Sequence, residues 1–343
     1  MAQDIITIKA GTFNLMNLML PNVEVYGSMK LSQHDFDRKA EWINFMLNQM
    51  NADVIGFQEC FHLEALERII SQNKLYQNAE LVMPGENGEQ PRVALLSRYP
   101  IQDVQLIEWF PKKSLITFQQ RGEYITLPFK TFTRPVLKVK VLIPNYGIIT
   151  FFVVHLKSKR PIFYEGESDS NPIDLARAQV RSLMLRAAES SAVRTILCDY
   201  LQGRDNPVVV FGDVNDTGNS VTTRIISGEV PQHRLPDNQK RNIWDVLLYH
   251  VKDIQARRSY QDFYYPHIHN GMYESLDHIM VSQELVTDNP RYTGRVGQVK
   301  VFNDHLIDQT FSTDKPDKYK SDHGIVVCSL ELDPERAAQF RMG

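Results

Sequence analysis

The sequence predicts an α/β domain built on packed β-sheets, and three observations carry that reading. Short strand patterns outnumber helical ones, they recur along the whole chain without a linker, and amphipathic helices fall between them. At 343 residues, with 43% hydrophobic and 23% charged residues, the chain has material for a large core and the balance of an ordinary globular protein.

The elements follow in order. MAQDIITIKAGTFNL reads as a first strand, and residues 35–50 place Phe36, Ala40, Ile43, Leu47 and Met50 at helical spacing. ADVIGFQEC is a buried-strand pattern ending on Gln58 and Glu59, followed by a helix with Leu63, Leu66, Ile69 and Ile70 on one side. VALLSRYPI is a strand stopped by Pro100. Residues 106–134 read as a long insertion with some strand content, LIEWF included, and no aromatic hairpin for membrane insertion is expected there. PVLKVKVLIPNYGIITFFVVHLKS has the form of a β-hairpin whose second strand ends on His155. A polar loop, 157–172, leads to a long helix in which Ala176, Val180, Leu183 and Ala187 recur at helical spacing. VVVFGDVNDT is a strand that breaks into Asp213 and Asn215, and 229–241 is a loop within a second insertion, near 229–245. ESLDHIMVS is a strand interrupted by Asp277, and GIVVCSLEL is the last strand, directly after Asp322 and His323. The domain expectation is one unit over 1–343.

Bulk properties exclude several functions. No apolar run approaches the roughly 20 residues that span a bilayer. The N-terminus has Asp4 where a signal peptide wants positive charge. Cys60, Cys198 and Cys328 are an odd, sparse set that suits a reducing, cytoplasmic setting. A net charge of −3 gives no global pull on polyanions, so nucleic-acid affinity requires a local basic patch or a bound metal. There is no G-x-S-x-G elbow, Walker-type loop or G-x-G-x-x-G fingerprint.

Five strands carry reactive side chains at or near an end: Asn14, Glu59, His155, Asp213 with Asn215, and Asp322 with His323; Asp277 adds an acid within a sixth. Any one of these is an ordinary cap or turn residue, but strands packed face to face bring such ends to one cleft. Carboxylates with amide oxygens are hard ligands, suited to Mg²⁺ or Mn²⁺ and poorly suited to zinc. Such ions bind phosphate oxygens and stabilise developing charge, while the two histidines supply groups that exchange protons near neutral pH. Metal, acid and base together describe hydrolysis of a phosphate ester.

TFNLMNL, ADVIGFQEC, RVALLSRYPI, VVHLKSK, VVVFGDVNDT, SLDHIMVS and KSDHGIVV, in that order, resemble the endonuclease/exonuclease/phosphatase superfamily, the group that includes the pancreatic deoxyribonuclease type. The resemblance implies a four-layer α/β sandwich, two packed mixed β-sheets flanked by helices, with the site at one end. It implies metal-site roles for Asn14, Glu59 and Asp322, with Glu59 the principal ligand and Asp322 otherwise pairing with a histidine. It implies water activation and phosphate contact by Asp213 and Asn215, active-site roles for His155 and His323, and histidine orientation by Asp277. FNLMNL with Asn17, and HLKSK before a helix bearing Arg177 and Gln179, resemble the bacterial nuclease branch. The absence of a signal sequence and the two insertions depart from it.

Lys157, Lys159 and Arg160, just past His155, are candidates to hold flanking phosphates, and Arg134 to reach the scissile one. Asn17 and His269 are further candidate substrate contacts, with His267 and Asn270 beside His269. The expected function is a Mg²⁺-dependent (or Mn²⁺-dependent) nuclease acting on DNA or RNA and leaving 5′-phosphate and 3′-hydroxyl ends. The alternative is a phosphatase or phosphodiesterase acting on a small phosphorylated molecule or a phospholipid head group. A nucleic acid is the expected partner; no membrane and no protein partner is expected.

Overall fold

The computed structural model describes residues 4–85, 88–257, 264–269, 271–310 and 312–341. Strand β1 (Ile6–Leu18) is followed by a short ribbon of β2 (Glu24–Val25) and β3 (Met29–Lys30), then helix α1 (Gln33–Met50). Next come β4 (Val54–Cys60), α2 (Leu63–Ser71), β5 (Glu80–Val82), β6 (Arg92–Ser97) and β7 (Ile101–Trp109). A ribbon of β8 (Thr117–Gln120) and β9 (Glu123–Thr126) precedes the hairpin of β10 (Thr131–Ile143) and β11 (Gly147–His155). Helix α3 (Pro172–Leu201) leads to β12 (Val208–Asp213), α4 (Val221–Ser227), α5 (Asp237–Trp244), β13 (Leu248–His250) and α6 (Val251–Ala256). The chain closes with β14 (His267–His269), β15 (Met272–Glu274), β16 (Asp277–Ser282), β17 (Gly294–Phe302), β18 (Ile325–Leu332) and α7 (Pro334–Arg341).

Two six-stranded sheets form the centre, in the orders β17-β18-β1-β4-β6-β5 and β13-β16-β12-β11-β10-β7. Each has one parallel pair in its middle, β1 with β4 and β11 with β12, and antiparallel neighbours outside it. The two sheets pack face to face over Ile8, Val54, Leu95, Phe151, Phe211 and Val326. Gly56 is required at this interface, because a Cβ there would lie 2.1 Å from the Phe211 ring. Helices α1 and α2 cover the first sheet through Phe36, Ile43, Leu47, Leu66 and Ile69, and α3 covers the second through Ala192, Val193 and Leu197. These are the four layers of the expected sandwich.

Several local expectations are corrected. Residues 106–109 and 131–134 belong to β7 and β10 of the second sheet, and the chain between them, 110–130, holds the β8–β9 ribbon. Its ribbon turns through Arg121 and Gly122, both at positive φ as a two-residue hairpin loop of the primed type requires, and Gln120 pairs with Glu123. That ribbon exposes Phe118, Tyr124 and Ile125, so an exposed aromatic hairpin is present after all. Within 229–245 the chain forms α5, which buries no residue. Asp277 opens β16 rather than interrupting it.

The face of α3 is also inverted. Val180 and Leu183 are 52% and 47% exposed, while Ala178, Ser182, Arg186, Glu189 and Ala192 face inward. Small residues let the helix approach the sheet. In α1 the apolar stripe holds, but Lys39 takes a buried place between Phe36 and Ile43, while Ala40 is only half-buried. Among the described residues no helix is long and apolar enough to cross a membrane.

Candidate active site

The topology explains why reactive residues sit at strand ends. The central parallel pairs run the same way in both sheets, so their C-terminal ends, with Asn14 and Glu59 from one and His155 and Asp213 from the other, meet at one edge of the sandwich. Ligand sites of open α/β sheets lie outside such ends. Strands β16 and β18 run antiparallel to their neighbours β12 and β1, so they bring the same edge their beginnings: Asp277, and His323 just before β18. His155 is level with Asp213, and Asp213 with Asp277.

Local backbone geometry aims the side chains. Phe57 and Cys60 both enter the helix-side core although they are three residues apart, a spacing that strict alternation forbids. The register shift between them supplies the extra residue, Glu59, whose φ of 60° turns it toward the cleft. Met16, Asn17 and Asn215 also lie at positive φ (48°, 56° and 55°), the clustering of strained backbone expected of a functional site. Gly212, next to Asp213, has φ 142°, and a Cβ there would lie 1.9 Å from the Val154 carbonyl oxygen.

Asp213 is the hub. Its Oδ1 accepts from the Asn215 N–H at 2.8 Å; its Oδ2 lies 3.4 Å from Asn14 Nδ2, 3.6 Å from His155 Nε2 and 3.9 Å from His323 Nε2. Asn14 Nδ2 also reaches Glu59 Oε1 at 3.3 Å, and the Asn17 N–H donates to Glu59 Oε2 at 3.0 Å. His155 Nε2 is 3.8 Å from Glu59. His323 Nδ1 pairs with Asp277 Oδ2 at 2.7 Å, which leaves Nε2 toward Asp213. Asn215 Nδ2 and Arg134 Nη1 both donate to the Leu156 carbonyl, at 3.0 and 3.1 Å.

Electrostatics divide these groups. Burial, reinforced by Asp277 and Glu59 against the opposing pull of His323, pushes the Asp213 carboxyl up to about 7. Burial alone would depress His323, but Asp277 and Asp213 outweigh it and hold the imidazolium well above the usual histidine range. Burial, with Arg134 and His323 nearby, keeps His155 neutral. A poised carboxylate beside a charged and a neutral imidazole is an acid–base pattern.

Among the described residues, two groups of side chains are close enough to share a cation: Glu59, His155 and Asp213, and Asp213, Asp277 and His323. The Glu59 carboxylate suits a hard divalent ion, while Asn14 turns its Nδ2 to Glu59 and Asp213 and its Oδ1 accepts from the Met16 N–H. Asp322 lies exposed on the cleft wall, outside both groups.

The cleft has a volume of about 1410 Å³, and Asn17, Arg134, Lys157, Lys159, Arg160 and His269 all line it. The basic cluster is less free than the sequence suggests. Lys159 Nζ lies 3.3 Å from Glu274 and 3.9 Å from Asp216. Lys157 Nζ donates to the carbonyls of Ser158 and Arg160. Arg177 pairs with Glu167 and Asp174, while Gln179 reaches the cleft. His267 packs 5.0 Å from the His323 ring; Asn270 lies outside the described residues. The reading of the sequence missed Tyr26 and Glu274 on the cleft wall and the buried charges Lys39, Arg186 and Glu189 beneath it. A charge inside an apolar or small-residue helix stripe was the available signal for these buried charges.

The sequence profile of the endonuclease/exonuclease/phosphatase family matches residues 31–323, and the chain belongs to that family. Membership supports hydrolysis of phosphoric esters as the reaction class. No relative among curated protein sequences matches the chain. Among solved structures it resembles a family protein from Bacteroides thetaiotaomicron, at 15% identity and TM-score 0.54, covering 98% of each chain. It also resembles a mannosyl-6-phosphatase of that organism, at 16% identity and TM-score 0.51, covering 94% of this chain and 99% of that one. A third likeness is D. rerio TDP2 complexed with single-strand DNA product, at 13% identity and TM-score 0.50, covering 94% and 98%. At these identities the likeness shows the fold alone.

Proposed function

We propose that this chain is a divalent-metal-dependent phosphodiesterase, a nuclease acting on DNA or RNA in a cytoplasmic setting. The observation that carries the reading is the convergence of Asp213, His155 and His323 on the floor of one large cleft, beside Glu59. Mg²⁺ or Mn²⁺ held by Glu59, with Asn14 beside it and Asp322 at the rim, would neutralise charge developing on the phosphate. Asp213, poised near neutrality, takes a proton from the attacking water while Asn215 orients it. As the water oxygen bonds to phosphorus the bond to the 3′-oxygen breaks; His323, held charged by Asp277, gives that leaving oxygen its proton, and neutral His155 hydrogen-bonds a phosphate oxygen beside it. Arg134 and Arg160 face the substrate's phosphates from the cleft wall, with Asn17 and His269 as further contacts. TDP2, solved with a DNA product, supports the polymer reading by fold analogy.

A second reading, a small phosphorylated molecule or phospholipid head group, is favoured by the engagement of Lys159 with Glu274 and Asp216, which leaves fewer cations for flanking phosphates. The fold likeness to a mannosyl-6-phosphatase points the same way. Purified protein is incubated with single- and double-stranded DNA and RNA, mannose 6-phosphate, inositol phosphates and sphingomyelin, with Mg²⁺ or Mn²⁺ and with EDTA. Cleavage of oligonucleotides to 5′-phosphate and 3′-hydroxyl ends, abolished by EDTA, is expected. Turnover of only a small ester moves the assignment to the second reading, and hydrolysis of none removes both. For a nuclease, Arg160→Ala should reduce the salt slope of oligonucleotide binding by roughly 0.7–0.9, while Lys159→Ala leaves it nearly unchanged.

A further inference from the structure

Beneath the cleft Arg186, buried in α3, pairs with Asp216, while two other ionisable side chains lie buried in helix faces. Lys39, 2% exposed, occupies the apolar stripe of α1, and Glu189, fully buried, lies among Ala188, Ser190 and Ala192 of α3. A charge in such a place costs several kcal/mol unless it is compensated. Each has a sign opposite to the half of the cleft above it. Lys39 Nζ donates at 3.0 Å to the carbonyl of Met16, and the Glu59 and Asp322 carboxylates act on it electrostatically. Met16 and Asn17 form the left-handed corner that aims the Asn17 N–H at Glu59. Glu189 Oε1 accepts from the Thr133 N–H at 2.8 Å and its hydroxyl at 2.7 Å, while Oε2 accepts from the Lys157 N–H at 2.6 Å. It therefore ties the start of β10, which carries Arg134, to the loop after β11, which carries Lys157.

A lone carbonyl does not require a charged donor, and three neutral donors do not require a carboxylate buried in a helix face. The charges make sense against what stands above them: carboxylates over the lysine, guanidinium and ammonium over the glutamate. We propose that Lys39 and Glu189 are positioning residues that divide the cleft, Lys39 setting its hold on a divalent cation and Glu189 its hold on the phosphate group. This rests on the phosphoesterase reading above. Lys39 acts by fixing the Asn17–Glu59 hydrogen bond, and Glu189 by fixing where Arg134 and Lys157 stand.

The test measures two quantities on the full chain: Mn²⁺ affinity by electron paramagnetic resonance, without turnover, and KM against kcat for bis-p-nitrophenyl phosphate at saturating Mn²⁺. Lys39→Met should weaken Mn²⁺ binding roughly 10–100-fold, the usual cost of losing an outer partner of a metal ligand, with KM nearly unchanged. Lys39→Arg should restore most of it. Glu189→Gln should raise KM about tenfold and leave Mn²⁺ affinity unchanged. Where Lys39→Met or Glu189→Gln does not fold, Lys39→Gln and Glu189→Asp must show the same split at smaller size. Equal shifts of both quantities in both variants mean a merely structural role and overturn the inference. So does tighter Mn²⁺ binding in Lys39→Met, the mark of a repulsive bystander. A wild type that neither binds Mn²⁺ nor hydrolyses the ester removes the phosphoesterase reading and this inference together. A functional wild type whose variants do not split removes the inference alone.

Discussion

Strand β16 carries a buried acid at one end and is followed by another at the other, and the two are built for different purposes. Asp277 opens the strand, 1% exposed, and holds His323 at 2.7 Å over the cleft. Glu284, two residues past the far end and 3% exposed, accepts a hydrogen bond from the Ser282 hydroxyl, which itself receives the Val208 N–H at 2.9 Å. Both are buried carboxylates in one sandwich, so burial and an unusual charge do not by themselves mark a site. At the Asp277 end, strands from both sheets deliver a second acid, two imidazoles and strained backbone to a common opening. At the Glu284 end, the nearby charges that act on the carboxyl are two further acids, Asp205 and Asp245. Convergence distinguishes the functional end.

The largest test of this contrast is at the hub. Asp213→Asn should leave folding intact and lower kcat by about 10²–10⁴, the range expected when an acid–base group is removed. His155→Ala and His323→Ala should each lose a comparable amount, and combinations should lose far less than the product of the single losses, because the three act as a unit. Losses that simply multiply would mean that the convergence has no functional meaning. Next in size is Asp277→Asn, with a loss at neutral pH on the order of tenfold. Asp277 raises the His323 pKa, so without it His323 gives up its proton sooner. The alkaline limb of kcat/KM should therefore move to lower pH. An unmoved alkaline limb would detach His323 from the reaction.

The contrast also explains what could be read from the sequence. Glu59, His155 and Asp213 were legible because each interrupts an apolar strand pattern just where the strand stops, and His323 because it stands just before one begins. Their mutual distances were not, since they depend on both parallel pairs pointing the same way and on a bulge at Glu59 that no period reveals. The α3 prediction failed for a related reason. Periodicity selects the apolar face, Val180 and Leu183, but the helix packs through its small residues so that Glu189 and Arg186 can reach the cleft from below. Lys39 is hidden in the sequence beside Ala40, which offers an apolar neighbour in the same stripe. The ribbon turn at Arg121–Gly122 lacks the Asn-Gly or Asp-Gly pair that announces such loops.

The smallest effect belongs to the other end of β16. Burial, with Asp205 and Asp245 adding to it, pushes the Glu284 carboxyl up to about 7, against 4.5 as its ordinary value. A carboxyl whose folded value lies above its unfolded one favours the folded state while protonated. That contribution is complete below the unfolded value, near 4.5, and is lost as pH rises through the folded value, near 7. By linkage the loss is on the order of 3 kcal/mol at most, with the Ser282 hydrogen bond present throughout. Glu284→Gln keeps the shape and an acceptor but cannot ionise. Its stability should match the wild type near pH 4.5, exceed it increasingly toward pH 7, and run parallel above that, as read by urea unfolding across the range. Its kcat and KM should not change, because Glu284 does not line the cleft. A variant with the wild-type pH dependence would show that Glu284 is not the group being titrated. A variant that lost activity would show that the two ends of β16 are coupled, and the separation of function from burial drawn along this strand would fail.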